Sequence, residues 1–149
     1  MSFLFEENQK FTQWWLWLIL LYFPFSALFI YNTPLNYTYV LIGFAIPLIF
    51  YLFQLRIKVD KNGLHYQFFP LHFKSHTINI DEIEKIEALE YKPISEYGGW
   101  GIKYGFQGKC YNVSGNKGVK VFLKNGTNIL FGSQRHVELE KALKNIKKQ

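Results

Sequence analysis

Three sets of residues in this chain have types and spacings that chemistry uses. The stretch GGWGIKYGFQGKCYNVSGNKG, residues 98 to 118, holds seven glycines. Glycine-rich loops cradle phosphates when they join a strand to a helix, because the helix N-terminus then supplies free N–H groups. Here Gly98, Gly99, Gly101 and Gly105 run on into strand-like sequence, and Gly115 to Lys120 continues directly into GVKVF. No GxxxxGK[ST] loop occurs. Gly105, Gly108, Gly115 and Gly118 are therefore expected at positive-φ turns and bulges of a curved sheet. Trp100, beside them, reads as a core or rim aromatic, or as a contact for a peptide.

The second set is His72 and His76, whose spacing holds a metal on a helix. The surrounding residues read as turn and strand, where four residues extend about 13 Å, too far to share one ion. The third set is the acidic run Asp81, Glu82, Glu84, Glu87 and Glu90, which reads as a solvated strand face rather than as paired catalytic carboxylates. Ser114, next to Gly115, lacks the flanking pattern of a nucleophile elbow. No catalytic, cofactor-binding or metal-ligating residue is assigned, no cofactor is expected, and the chain is not read as an enzyme. Cys110 is the single cysteine, so no internal disulfide exists.

The elements that would position such groups divide the chain sharply. The net charge is +6 and the mean hydropathy −0.04, but nearly all the charge follows Leu55. Residues 13–31, QWWLWLILLYFPFSALFIY, and 37–55, YTYVLIGFAIPLIFYLFQL, carry no charge. A helix of about 19 residues is about 28 Å long, close to the apolar thickness of a bilayer. Both segments are accordingly expected to be membrane spans, each kinked at Pro24 or Pro47 and joined by the short polar turn NTPLN. Ser26, Ala27, Gly43 and Ala45 would let the two helices pack closely. Lys10 precedes the first span and Arg56, Lys58 and Lys61 follow the second, so the positive-inside rule places both termini in the cytoplasm of a multi-pass protein of the cell membrane. Residues 1–12 would be an N-terminal cytoplasmic segment, 13–55 the hairpin and 56–149 a cytoplasmic domain.

After Leu55 the period becomes two. RIKVD and LHYQFF flank Lys61-Asn62-Gly63, and GVKVFL and TNILFGS flank Lys124-Asn125-Gly126. Asn-Gly between alternating strands is a strong hairpin signal. KSHTINI, a strand over about 84–91 after a turn at Asp81-Glu82, and short strands at 100–104 and 109–113 complete seven or eight strands. Leu139, Ala142, Leu143 and Ile146 then share one helical face, with Lys141, Lys144, Lys147 and Lys148 largely off it. Strands followed by one amphipathic helix suit a mainly-β barrel capped by a C-terminal α-helix. The sequence at Gly99–Ile102 (GWGI), Tyr111–Val119 and Gly126–Gln134 resembles the C-terminal part of pleckstrin-homology-like (PH-like) domains in small bacterial membrane proteins. The resemblance covers about the last 50 residues; it implies a PH-like fold and a membrane location, and no activity.

Phosphoinositide-binding PH domains carry several basic residues in their first strand–turn–strand unit. Here that unit has Arg56, Lys58 and Lys61 around a very short turn, which departs from the pattern. The expected partners are the lipid bilayer, anionic headgroups near Lys144, Lys147 and Lys148, and a membrane or cytoplasmic protein; no recognition helix suggests nucleic acid. The expected role is a membrane-tethered binding or scaffolding module. The alternative is an accessory subunit of a larger membrane complex, assembled through the hairpin. Candidate contacts are Trp100, Arg56, Lys58, Lys61, Lys144, Lys147 and Lys148.

Overall fold

The computed structural model describes every residue except 1–2, 31–34, 106 and 149. The chain divides into two units, Met1–Lys10 with Gln54–Gln149, and Phe11–Phe53. The β unit begins with a strand that the sequence reading left as an N-terminal segment, β1 (Phe5–Lys10). It continues with β2 (Gln54–Asp60), β3 (Gly63–Phe69), β4 (His76–Asn79) and a 3-10 turn at Ile80–Glu82. Then come β5 (Ile83–Glu90), β6 (Gly101–Gly105), β7 (Gly108–Asn112), β8 (Lys117–Leu123) and β9 (Asn128–Gly132). The helical unit holds α1 (Trp14–Ile30) and α2 (Leu35–Leu52); α3 (Pro93–Tyr97) and α4 (His136–Lys147) belong to the β unit.

The strands form two sheets, β1-β2-β3-β4 and β5-β8-β9-β7-β6. This corrects the expectation of one PH-like barrel. The second sheet is mixed: β7 runs parallel to β9, and the β6–β7 hairpin extends the sheet beyond β9, while β5 skips it to pair with β8.

The Asn-Gly signal at 61–63 makes a two-residue hairpin, with Asp60 opposite Gly63. Gly63 has φ +151°, and a Cβ there would lie 2.1 Å from the Ile78 carbonyl oxygen, so only glycine fits. Alternation then sends Leu55, Ile57 and Val59 of β2, with Leu64 and Phe68 of β3, inward; all are at most 1% exposed. The second sheet contributes Tyr111, Val119, Val121 and Phe131, and the Tyr111 and Phe131 rings stack 5.6 Å apart. The helix expected at the C-terminus is α4, whose Leu139, Ala142, Leu143 and Ile146 are buried. Full burial of each leucine stabilises the fold by about 1.5–3 kcal/mol.

α4 also covers the outer edge of β5. Glu140 Oε1 accepts the Ala88 N–H (3.0 Å) and a Lys144 Nζ hydrogen (2.8 Å), and Lys147 Nζ donates to the Glu84 carbonyl. β1 is fastened to the second sheet. Gln9 Nε2 donates to the Gly132 carbonyl (2.7 Å), and the Glu7 carboxylate accepts from Ser133 Oγ (2.5 Å) and the Gln134 N–H (3.0 Å).

In the helical unit, Gly43 lets α2 close on α1: a Cβ there would sit 3.0 Å from Pro24 Cβ. Phe25 and Phe44 meet edge to face at 5.6 Å, and Phe11 does so with Phe50 at 5.4 Å. The expectation of two membrane spans is not upheld. α1 has 17 residues and α2 has 18, about 25 and 27 Å of helix against an apolar layer of about 30 Å. Among the described residues no helix is long and apolar enough to cross a membrane. The second expected span overran because Gln54 and Leu55 open β2, where Leu55 is fully buried. The transmembrane hairpin, the multi-pass location and the topology drawn from it fall together. The polar turn predicted between the helices falls largely outside the described residues.

Candidate binding groove

The face of the first sheet turned away from the core is polar, because the alternation that buries Leu55, Ile57 and Val59 turns Arg56, Lys58 and Asp60 the other way. Register sets their neighbours: Arg56 lies between Asn8 and Gln67, and Lys58 between Glu6 and His65. With Phe3, these side chains line a concavity of about 550 Å³.

Most charges in this groove are already matched. Lys58 Nζ lies 2.7 Å from Glu6 Oε1 and 4.6 Å from the centre of the Phe3 ring. His65 Nε2 lies 2.9 Å from Asp60 Oδ1, and its Nδ1 is 2.8 Å from Thr77 Oγ1. Asp60 also accepts the Asn62 and Gly63 N–H groups at 2.8 and 3.3 Å. Burial alone would raise the Asp60 carboxyl, but the His65 side chain and these two N–H groups outweigh it and hold the group below the usual carboxylate range. Gln67 Nε2 donates to the His72 and Phe73 carbonyls (3.0 and 3.2 Å), which pins the β3–β4 loop beside the groove.

That loop overturns the distance argument made for the histidines. His76 opens β4, but His72 lies in the loop that folds back onto Tyr66, so the two rings are 4.5 Å apart, edge to face. His76 stacks on Tyr66 at 5.4 Å, and His72 Nδ1 accepts the Phe68 N–H at 3.4 Å. Burial first, then the charges of His76 and Lys109, push the His72 imidazole below its ordinary value. Among the described residues no cluster of three or more His, Cys, Asp or Glu could hold a metal.

The other candidates are dispersed. Arg56 and Lys58 share the groove, and Lys61 is exposed at the β2–β3 turn. Trp100 lies by the second sheet, its Nε1 donating to the Gly115 carbonyl at 3.0 Å, so it pins the glycine-rich segment. Lys144 and Lys147 are engaged by Glu140 and the Glu84 carbonyl, while Lys148 borders a separate depression with Leu4 and Ile146. Of the glycines expected at positive φ, Gly108 (107°) and Gly115 (74°) are so, whereas Gly105 and Gly118 are needed for space, since a Cβ would lie 2.5 Å from the Glu96 carbonyl oxygen and 2.4 Å from the Phe131 carbonyl oxygen respectively.

Sequence reasoning passed over Glu6, Asn8, Asp60, His65 and Gln67. The alternation of RIKVD and LHYQFF already put Arg56, Lys58 and Asp60 on one face with His65 and Gln67. FEENQK gave no comparable signal for β1, because Glu7 and Gln9 occupy inward positions. No family model matches the chain, and no curated protein or solved structure matches it either.

Proposed function

We propose that this chain is a binding or scaffolding module that receives a protein partner on the first sheet. The groove of about 550 Å³ carries the reading, because it gathers polar groups from three neighbouring strands into one concave surface. Selection of binders from a random peptide display library on the full-length chain tests it. Enriched peptides should lose binding when Gln67→Ala and Arg56→Gln are introduced together; peptides that keep full affinity would place the binding surface elsewhere. Sedimentation with vesicles containing anionic lipid, run alongside, asks whether headgroups compete for the same residues.

A second reading, an accessory subunit assembled through α1 and α2, is favoured by the apolar surface of the helical unit. Trp14, Leu18, Phe23, Phe29 and Leu41 are 62–87% exposed, and apolar patches of this kind mark interaction surfaces. Exchanging the hairpin for an unrelated one would then abolish co-purification of the partner, while the first reading expects it to persist.

A further inference from the structure

We propose that the groove recognises a carboxylate presented by an extended peptide, with Arg56 as the recognition residue. The inference rests on the binding-module reading and names the ligand of that same groove.

The matching of charges inside the groove leads to it. Lys58 is spent on Glu6 and Phe3, Asp60 on His65 and two backbone N–H groups, and Glu7 on Ser133 and Gln134. Arg56 is exposed, and among the described residues its side chain has no hydrogen bond or ion pair. Its two cross-strand neighbours point their amide donors elsewhere: Asn8 Nδ2 to Gln54 Oε1 at 3.1 Å, and Gln67 Nε2 to the loop carbonyls. A guanidinium with its donor fork open matches a planar carboxylate in two parallel hydrogen bonds.

Charge decides between anions. Glu6 and Asp60 line the groove beside Arg56 and Lys58, so a phosphate dianion meets stronger repulsion there than a singly charged carboxylate does. Size and acceptors decide between sources. A volume of about 550 Å³ far exceeds one carboxylate. The amide oxygens of Asn8 and Gln67 beside Arg56 are suited to accept peptide N–H groups, which a free organic acid lacks.

The test uses the full-length chain in non-ionic detergent, labelled with nitrogen-15, and follows the Arg56 Nε–H and the backbone of Asn8 and Gln67 by NMR. Four probes are titrated: acetyl-Ala-Ala-Glu-Ala-Ala-amide, its Gln counterpart, glutarate and inorganic phosphate. The Glu peptide should shift all three residues and bind at least tenfold more tightly than each other probe. Arg56→Gln should erase the Glu-over-Gln preference, and Arg56→Lys should keep only part of it, because an ammonium keeps the charge without the fork. Arg56 is exposed, so both variants should leave the rest of the spectrum in place. Equal binding of the Glu and Gln peptides overturns the carboxylate, and phosphate binding more tightly overturns the choice of anion. Glutarate matching the peptide overturns the peptide. A groove silent to all four probes overturns the proposal, while the display selection decides the binding-module reading separately.

Discussion

His72 shows how a single residue's surroundings make stability depend on pH. Its ring lies against Tyr66, His76 and Tyr111, with Lys109 placed over Tyr111, and its Nδ1 accepts an N–H bond. The folded imidazole therefore takes up a proton at lower pH than the unfolded one, whose value is about 6.5. Where the unfolded state binds more protons, stability falls as pH falls. Urea midpoints should be flat above about pH 7 and drop from about 6.5 down to the folded value, and a His72→Asn variant should show a shallower drop; an identical slope would remove His72 as the cause. Asp60 acts with the opposite ionic form. Its depressed carboxyl secures the β2–β3 turn only while ionised, a contribution present above about pH 3.9 and lost as the pH falls through the lower folded value. Asp60→Ala removes the carboxylate that accepts the Asn62 and Gly63 N–H groups at the β2–β3 turn and should cost about 1–3 kcal/mol in a denaturant titration.

Elements were legible in the sequence where one local signal set them and illegible where distant partners did. The Asn-Gly turn, the alternation of β2 and β3, and the apolar stripe of α4 are written in neighbouring residues, and so was the shared face of Arg56 and Lys58. β1 was not, since Glu7 and Gln9 reach groups more than 120 residues away, at Gly132, Ser133 and Gln134. The length of α2 was misjudged because Gln54 and Leu55, which continue the uncharged run, are claimed by the first sheet. The approach of His72 to His76 depends on a loop path that spacing does not encode. At the same scale, α4 shields a strand edge that is otherwise open to pairing. Its Lys144 bond first, and then the Ala88 N–H, hold the Glu140 carboxyl below its ordinary value. Glu140→Ala should therefore lower stability by about 1 kcal/mol and promote self-association, read by denaturant titration and light scattering. The wild-type advantage should be present above about pH 4.5 and vanish in acid as Glu140 protonates.

At the scale of the whole molecule, Cys110 reports on the integrity of the β unit. It is 0% exposed, and burial pushes its thiol up to about 12, so alkylation at neutral pH requires opening of the structure. Labelling in rising urea should track the loss of circular dichroism; labelling well before it would reveal local opening at β7. The pairing of β1 with β2 carries a different consequence. Lys10 stands opposite Gln54, so the chain leaves one strand and re-enters the next at adjacent positions, and Phe11–Phe53 is, in topological terms, an oversized hairpin loop. Loops grow and shrink at small entropic cost when their ends are held together by the fold. The hairpin is thus a graft that can be excised. With residues 11–53 replaced by Asn-Gly, a turn that joins antiparallel neighbours, the remaining strands and α4 form a minimal module of about 108 residues, in which the groove can be studied without the apolar helices.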